Sequence, residues 1–167
     1  MRVLLVAGGW SPEREVSLSG SKVVHQALLR LGHQVTFYDP AEPGDACPQN
    51  SGPLSGPLSG LWELAQKNDF AFINLHGSPG EDGLIQAMLE NAGCPYQGSD
   101  PRGSFLALHK AASKHIFRKH GLLTPDWEYL TSRPSSKWQT SLTFPLFAKA
   151  NTGGSSLHLH RDRKSVV

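Results

Sequence analysis

The sequence is poor in several features that mark whole classes of protein. It has only two cysteines, Cys47 and Cys94, and no cysteine–histidine spacing typical of zinc, so we expect neither a disulfide framework nor a metal site. Its 16 basic and 14 acidic side chains leave a formal net charge of +2, which gives no reason to expect nucleic acid as a partner. No apolar run is long enough for a bilayer span or a signal peptide. We therefore expect a cytoplasmic protein without a membrane partner.

The apolar residues that are present predict an open parallel α/β sheet over roughly the first hundred residues. The predicted strands are residues 3–7, 34–38, 70–73 and 94–96, and the predicted helices between them are residues 16–31, 61–67 and 84–90. In the first helix an apolar stripe recurs at helical spacing, formed by Val16, Gly20, Val23, Ala27 and Leu31. Residues 41–60 repeat Ser-Gly-Pro-Leu, a composition that does not pack a core, so we expect a mobile loop there.

The remaining residues predict a second, smaller unit. A basic helix is expected over residues 104–120, followed by strands at Trp127–Leu130 and Phe144–Lys149. From about Asn151 onward we expect poor order or an unusual conformation, because the loop there is rich in glycine and serine.

The run NLHGSPGEDG, residues 74–83, places a histidine and two acids on a glycine-rich turn between a strand and a helix. In a parallel sheet such a turn lies at the carboxyl ends of the strands, where ligands bind. Its glycines allow the backbone to approach a ligand closely. The alternative is an ordinary connecting turn whose acids cap the following helix.

The run GGWSPEREVS, residues 8–17, forms a similar turn after the first predicted strand. It lacks the G-x-G-x-x-G pattern of dinucleotide sites. Ser11 and Pro12 have the character of a helix start, which is a purely structural explanation. The functional alternative is that Glu13 faces a ligand from the helix start, where its carboxylate would suit an ammonium group.

A third candidate follows the strand Phe144–Lys149, where the run NTGGSS covers residues 151–156. Backbone N–H groups, hydroxyls and the lysine together suit phosphate. The lysine precedes the glycines, so this is not a Walker loop. A plain β-hairpin turn is the alternative.

Taken in order, these runs resemble the D-alanine–D-alanine ligases of the ATP-grasp family. The resemblance lies in GGWSPEREVS at residues 8–17, LHG at 75–77 with GEDG at 80–83, PYQGS at 95–99, LHK at 108–110, and FPLFAK at 144–149 with GSS at 154–156. It implies an open parallel Rossmann-like (pre-ATP-grasp) sheet with helices on both faces, followed by the start of an ATP-grasp α+β subdomain. Residues 1–103 would then be the amino-terminal substrate-binding domain and residues 104–167 an incomplete central subdomain.

The resemblance also implies roles for single residues. Glu13 would hold the ammonium group of the first D-alanine, and His76 would lie near the reacting carboxylate. Lys110 and Lys149 would contact the phosphates of ATP, together with a loop made of Gly154, Ser155 and Ser156. Ser155 would also hydrogen-bond towards Glu13. In the implied reaction ATP phosphorylates one D-alanine, and the amine of a second attacks the acyl phosphate to give a peptidoglycan precursor.

The resemblance implies ATP and Mg²⁺ as cofactors and allows a homodimer. It covers only the amino-terminal part of the family, so we expect the magnesium ligands to lie outside this chain. His109 also stands where the family usually has aspartate. The expectation is therefore a truncated ligase that is inactive alone, with a non-catalytic binding or scaffold remnant as the alternative.

Overall fold

The computed structural model describes residues 1–42, 58–155 and 159–162. Most of the predicted mobile loop, residues 43–57, lies outside the described residues. The elements in order are β1 (Arg2–Val6), α1 (Arg14–Arg30), β2 (Gln34–Tyr38), α2 (Ser59–Lys67), β3 (Phe70–Ile73), α3 (Leu84–Asn91), α4 (Pro101–Leu108), α5 (Lys110–Lys119), β4 (Leu146–Ala148) and β5 (His160–Asp162). None of the helices within these ranges has the length and apolar character needed to cross a membrane.

The first three strands form a parallel sheet in the order β2–β1–β3. Val3 pairs with Val35 on one side and with Phe70 on the other. The prediction that residues 3–7 and 70–73 share one sheet is therefore confirmed. All three strands end at the same edge, so the turns that follow them lie together there.

Both faces of this sheet are covered. Leu4 and Val6 belong to a buried cluster with α2 and α3, whose members include Leu61, Ala65, Ile85 and Leu89. Val3 and Leu5 alternate with these residues along β1 and are equally buried, so they point to the opposite face. Right-handed connections from β1 to β2 and back to β3 place α1 and α2 on opposite faces. The predicted α/β class with helices on both faces is confirmed.

The predicted strand at residues 94–96 is reduced to one parallel bridge between Ala71 and Tyr96. The Ala71 N–H donates to the Pro95 carbonyl at 2.8 Å, but the pairing does not continue along the backbone. Instead the Gln97 side chain accepts from the Ile73 N–H at 3.0 Å and donates to the Ile73 carbonyl at 2.6 Å. A side-chain amide thus occupies the place that a fourth strand would take.

Helix α1 forms as predicted, but its apolar stripe is not its buried face. Val16, Val23 and Leu31 are 59%, 69% and 71% exposed, whereas Ser17 and Ser21 are buried. The reason is that Ser17 lies against the carboxyl ends of β1 and β3, whose backbone groups need hydrogen-bond partners.

Contacts group the chain into two units, Met1–Phe105 and Leu106–Val167. The predicted basic helix is broken at His109, whose φ of −84° and ψ of 94° are extended. Its Nδ1 accepts from the Ala112 N–H at 3.1 Å, so His109 caps the start of α5.

The predicted strand Trp127–Leu130 is wrong, because side chains hold this segment in place of a backbone ladder. The Arg118 guanidinium lies 4.2 Å from the centre of the Trp127 ring. The Glu128 carboxylate accepts hydrogen bonds from Ser141 and Thr140. The later strand is confirmed in part, as β4 pairs antiparallel with β5.

Candidate functional site

The turn after β1 is built around a buried carboxylate from the end of β2. Asp39 is 5% exposed and accepts from the N–H groups of Gly9 and Ala41, both at 2.9 Å. Gly8 has φ of 84°, and a Cβ there would lie 2.3 Å from the Asp39 carboxylate. Only glycine fits this position, for reasons of both space and backbone angle.

Arg14 completes this turn from the first residue of α1. Its guanidinium donates to Asp39 at 2.5 Å and to the Gly9 carbonyl at 3.2 Å, and it pairs with Glu42 at 3.0 Å. The hydrogen bond to Asp39 raises the pKa of Arg14 above its ordinary value. The arginine therefore fixes the turn immediately beside Glu13.

The two acids of the turn after β3 have different partners. Asp82 accepts from the Leu84 N–H at 3.0 Å, which is the helix-start role of the structural alternative. Glu81 instead places its Oε1 3.9 Å from Nδ1 of His76. The His76 side chain is 38% exposed, so its imidazole can reach a ligand at the edge of the sheet.

The two turns meet at this edge. A Cβ on Gly77, the residue after His76, would lie 3.2 Å from the Cβ of Ser11 and 3.9 Å from Oε2 of Glu13. The Ser11 hydroxyl in turn accepts from the Glu13 N–H at 3.1 Å. The structure thus brings the Glu13 carboxylate next to the turn that carries His76, while a crevice shared by the two side chains stays a prediction.

In the second unit Lys110 is joined to the glycine-serine loop. Its Nζ donates to the carbonyl of Gly153 and, at 3.4 Å, to that of Asn151. The Asn151 carbonyl and side-chain oxygen also accept from the N–H groups of Lys110 and Ala111, each at 3.0 Å. These bonds connect residues 151–153 to the start of α5, and poor order or an unusual conformation from Asn151 onward stays a prediction. Residues 156–158 and 163–167 lie outside the described part of the chain.

Lys149 is exposed, and its Nζ lies 5.9 Å from the centre of the Phe147 ring. It is close enough to Lys114 to help lower the pKa of that lysine, after the larger effect of burial. Ser155 has a positive φ of 46°. The second unit therefore gathers several cationic groups near a loop with unusual backbone, whereas Ser156 lies outside the described residues.

Comparisons with known proteins find similarity to one kind of protein across both units. Residues 58–99 match a family model described as the D-ala D-ala ligase N-terminus. Over 161 residues the chain is 59% identical to the D-alanine–D-alanine ligase of Nitratidesulfovibrio vulgaris, covering 96% of this chain and 48% of that protein. The ligase of Lawsonia intracellularis is 49% identical over 160 residues, with the same shares covered.

This chain is similar to the amino-terminal half of D-alanine–D-alanine ligases. A solved D-alanine–D-alanine ligase from Bacillus anthracis superposes with a TM-score of 0.77 at 32% identity, covering 99% of this chain and 50% of that one. The same enzyme complexed with ATP gives a TM-score of 0.76 at 30% identity. The chain thus spans about half the length of the relatives it matches.

The residues present fit the ATP of D-alanine–D-alanine ligases better than the metal. Two ammonium groups and the backbone of a glycine-serine loop suit phosphate oxygens. For Mg²⁺, the described ranges contain no cluster of three or more histidine, cysteine, aspartate or glutamate side chains. Magnesium prefers several oxygen ligands in octahedral geometry, so these residues do not fit it.

Sequence reasoning missed four residues that shape the ligase-like site: Arg14, Ser17, Asp39 and Asn74. Each lies on or beside a turn at the carboxyl edge of the sheet. Asp39 and Asn74 directly follow strands, and this position after a strand was the available signal. No pattern in the sequence indicates that Ser17 points inwards.

Proposed function

We propose that this chain supplies the D-alanine-binding part of a D-alanine–D-alanine ligase together with the start of its ATP-binding part. The observation that carries the proposal is the meeting of the Glu13 and His76 turns at one sheet edge. The similarity to ligases at up to 59% identity supports the choice of substrate. Residues 1–103 would be the substrate-binding domain, and residues 104–167 would begin the ATP-grasp subdomain.

In this proposal Glu13 binds the ammonium group of the first D-alanine. Glu13 is partly buried and follows a turn held by Arg14 and Asp39, so its backbone is fixed at the edge of the sheet. A charge-assisted hydrogen bond to an ammonium group is among the stronger polar contacts in proteins. His76, beside Gly77, would donate to the carboxylate of the same D-alanine and stabilise negative charge as it develops.

The second unit would bind the phosphates. Lys110 and Lys149 supply two positive charges, and Gly154, Ser155 and Ser156 supply backbone N–H groups and hydroxyls. ATP, when bound, supplies the phosphoryl group that activates the carboxylate. Because Lys110 now donates to loop carbonyls, phosphate would have to replace or share those acceptors. The predicted hydrogen bond from Ser155 towards Glu13 belongs to this proposal as well.

The wider setting follows from the same proposal. The dipeptide would enter peptidoglycan synthesis, the protein would act in the cytoplasm, and the complete enzyme would hold Mg²⁺ and form a homodimer. A non-catalytic module that binds D-alanine is the other outcome of the tests below.

The test is a titration of the isotopically labelled chain with D-alanine and L-alanine, followed by NMR. We expect D-alanine to shift the amide signals of residues 9–13 and 75–81, and Glu13→Gln to weaken its binding about tenfold or more, since a charged hydrogen bond contributes about 1.5–3 kcal/mol. Glu15→Gln is the matched control, because Glu15 is an exposed acid in the same helical turn. Equal weakening by both substitutions would refute the role of Glu13, and equal binding of L-alanine would count against D-alanine as the substrate.

Dipeptide formation is measured separately. The purified protein is incubated with D-alanine, ATP and Mg²⁺, and dipeptide is quantified against the Glu13→Gln variant. Formation that depends on Glu13 supports the ligase. Binding of D-alanine without any dipeptide is the result expected both of a truncated ligase that is inactive alone and of a non-catalytic module.

A further inference from the structure

We propose that Ser17 is a positioning residue that sets the distance between the Glu13 turn and the His76 turn. The structural part of this inference stands on hydrogen bonds alone. Its consequence for D-alanine binding rests on the proposed function.

Ser17 is completely buried and joins three elements through its own atoms. Its hydroxyl accepts from the Gly8 N–H at 2.8 Å, at the end of β1. The same hydroxyl donates to the Asn74 carbonyl at 2.5 Å, at the end of β3. Its backbone N–H donates to the Glu13 carbonyl at 3.1 Å, within the first turn of α1. One residue therefore binds to both turns and to the proposed ligand-binding residue.

Asn74 makes a second hydrogen bond to Ser17. Its side-chain amide donates to the Ser17 carbonyl at 2.8 Å, and its backbone N–H donates to the Val6 carbonyl at 2.8 Å. A Cβ on Gly20 would lie 3.1 Å from that side-chain nitrogen, so α1 approaches β3 closely here. His76 is only two residues beyond Asn74. The position of the histidine turn therefore depends on this pair of bonds.

Loss of the Ser17 hydroxyl would leave two backbone groups without their partner, the N–H of Gly8 and the carbonyl of Asn74. Buried backbone groups left unpaired cost free energy, which favours a shift of the strand ends or of α1 towards new partners. A shift of either end changes the separation of Glu13 and His76. D-alanine, which would contact both, should then bind more weakly although Ser17 does not touch it.

The chain offers a matched control one turn further along α1. Ser21 is also buried, at 3% exposure, but its hydroxyl donates to the Leu18 carbonyl of its own helix at 2.8 Å. Ser21→Ala therefore removes a buried hydroxyl without freeing either strand end. Ser17→Cys is a second variant, nearly the same size as serine but with a weak hydrogen-bonding group, in case Ser17→Ala does not fold.

The experiment measures amide hydrogen exchange by NMR in the unliganded chain and the D-alanine dissociation constant in the same samples. We expect Ser17→Ala or Ser17→Cys to increase exchange about tenfold at both Gly8–Glu13 and Asn74–Gly77, and to weaken D-alanine binding about tenfold. Ser21→Ala should leave both readouts unchanged.

Faster exchange in only one turn, or equal effects from Ser21→Ala, would overturn the positioning role. Faster exchange in both turns with unchanged D-alanine affinity would overturn its link to the ligand. Failure of the unmodified chain to bind D-alanine would count against the proposed function, while the exchange data would still decide whether Ser17 couples the two turns.

Discussion

Gly83→Ala gives a sharp test of the turn that carries His76. Gly83 ends this turn with φ of 90°, a backbone angle that side chains rarely adopt. A Cβ at this position would lie 2.3 Å from the carbonyl oxygen of Pro101 and 3.0 Å from its carbonyl carbon. These are backbone atoms at the start of α4, so they cannot move aside as a flexible side chain would. Alanine would therefore be both strained and overpacked.

The two effects have separate magnitudes. The left-handed conformation costs an L-residue about 1–2 kcal/mol. Overpacking of a tight site typically adds about 1–3 kcal/mol. We expect Gly83→Ala to lower the free energy of unfolding by roughly 2–5 kcal/mol from these sources.

The matched control is Gly93→Ala. Gly93 has φ of 72°, and a Cβ there would meet no atom within 4 Å. This variant should therefore show only the conformational part, about 1–2 kcal/mol. Urea denaturation followed by circular dichroism, fitted for both variants and the unmodified chain, measures the difference. If Gly83→Ala and Gly93→Ala were equally destabilised, the close approach of Pro101 to the turn would be refuted.

The remaining predictions concern the second unit. Hydrogen bonds from the Ser141 hydroxyl and N–H hold the pKa of Glu128 below its ordinary value of 4.5, so the stability they provide is complete above that value and is lost as pH falls through the lowered pKa. The difference in urea midpoint between the unmodified chain and Glu128→Gln should therefore shrink between pH 6 and pH 3, and a constant difference would contradict this. His109→Ala should cost about 1 kcal/mol by removing the cap of α5, whereas His109→Asp should keep the cap and gain from the helix dipole. Thermal melts of the two variants test this, and equal melting temperatures would contradict it.

The parts that could be predicted from sequence are those with a local cause. Strands β1, β2 and β3 are short apolar runs, and the paired glycines after β1 indicate a turn. The three strands consequently lie close to their predicted bounds. Glu13 could be proposed as a site residue because a carboxylate at a helix start after a glycine turn suits an ammonium group, although an acid there also interacts favourably with the helix dipole.

Two of the misses have a different cause, since they depend on partners distant in the sequence. The edge of β3 is completed by the Gln97 amide, a contact across 24 residues that no periodicity can show. Trp127–Leu130 has strand-like composition, but its side chains bind other groups and the segment does not pair with a strand. Arg118 of α5 lies over the Trp127 ring, and the N–H and hydroxyl of Ser141 donate to Glu128. The break before α5 is a local miss, because the His109 ring caps that helix by accepting from the Ala112 N–H, three residues further on.

Helix α1 shows why an apolar stripe can mislead at a binding edge. The carboxyl ends of parallel strands present backbone groups that the sheet itself leaves unpaired, and the helix packed beside them must supply polar partners. A serine hydroxyl supplies such a partner and takes up little space between the helix and the sheet. This explains why Ser17 faces inwards while Val16 and Val23 face solvent. A serine one turn inside such a helix can therefore be the buried residue even where an apolar stripe runs beside it. It follows that substitutions of such a serine should disturb the turns before they disturb the core.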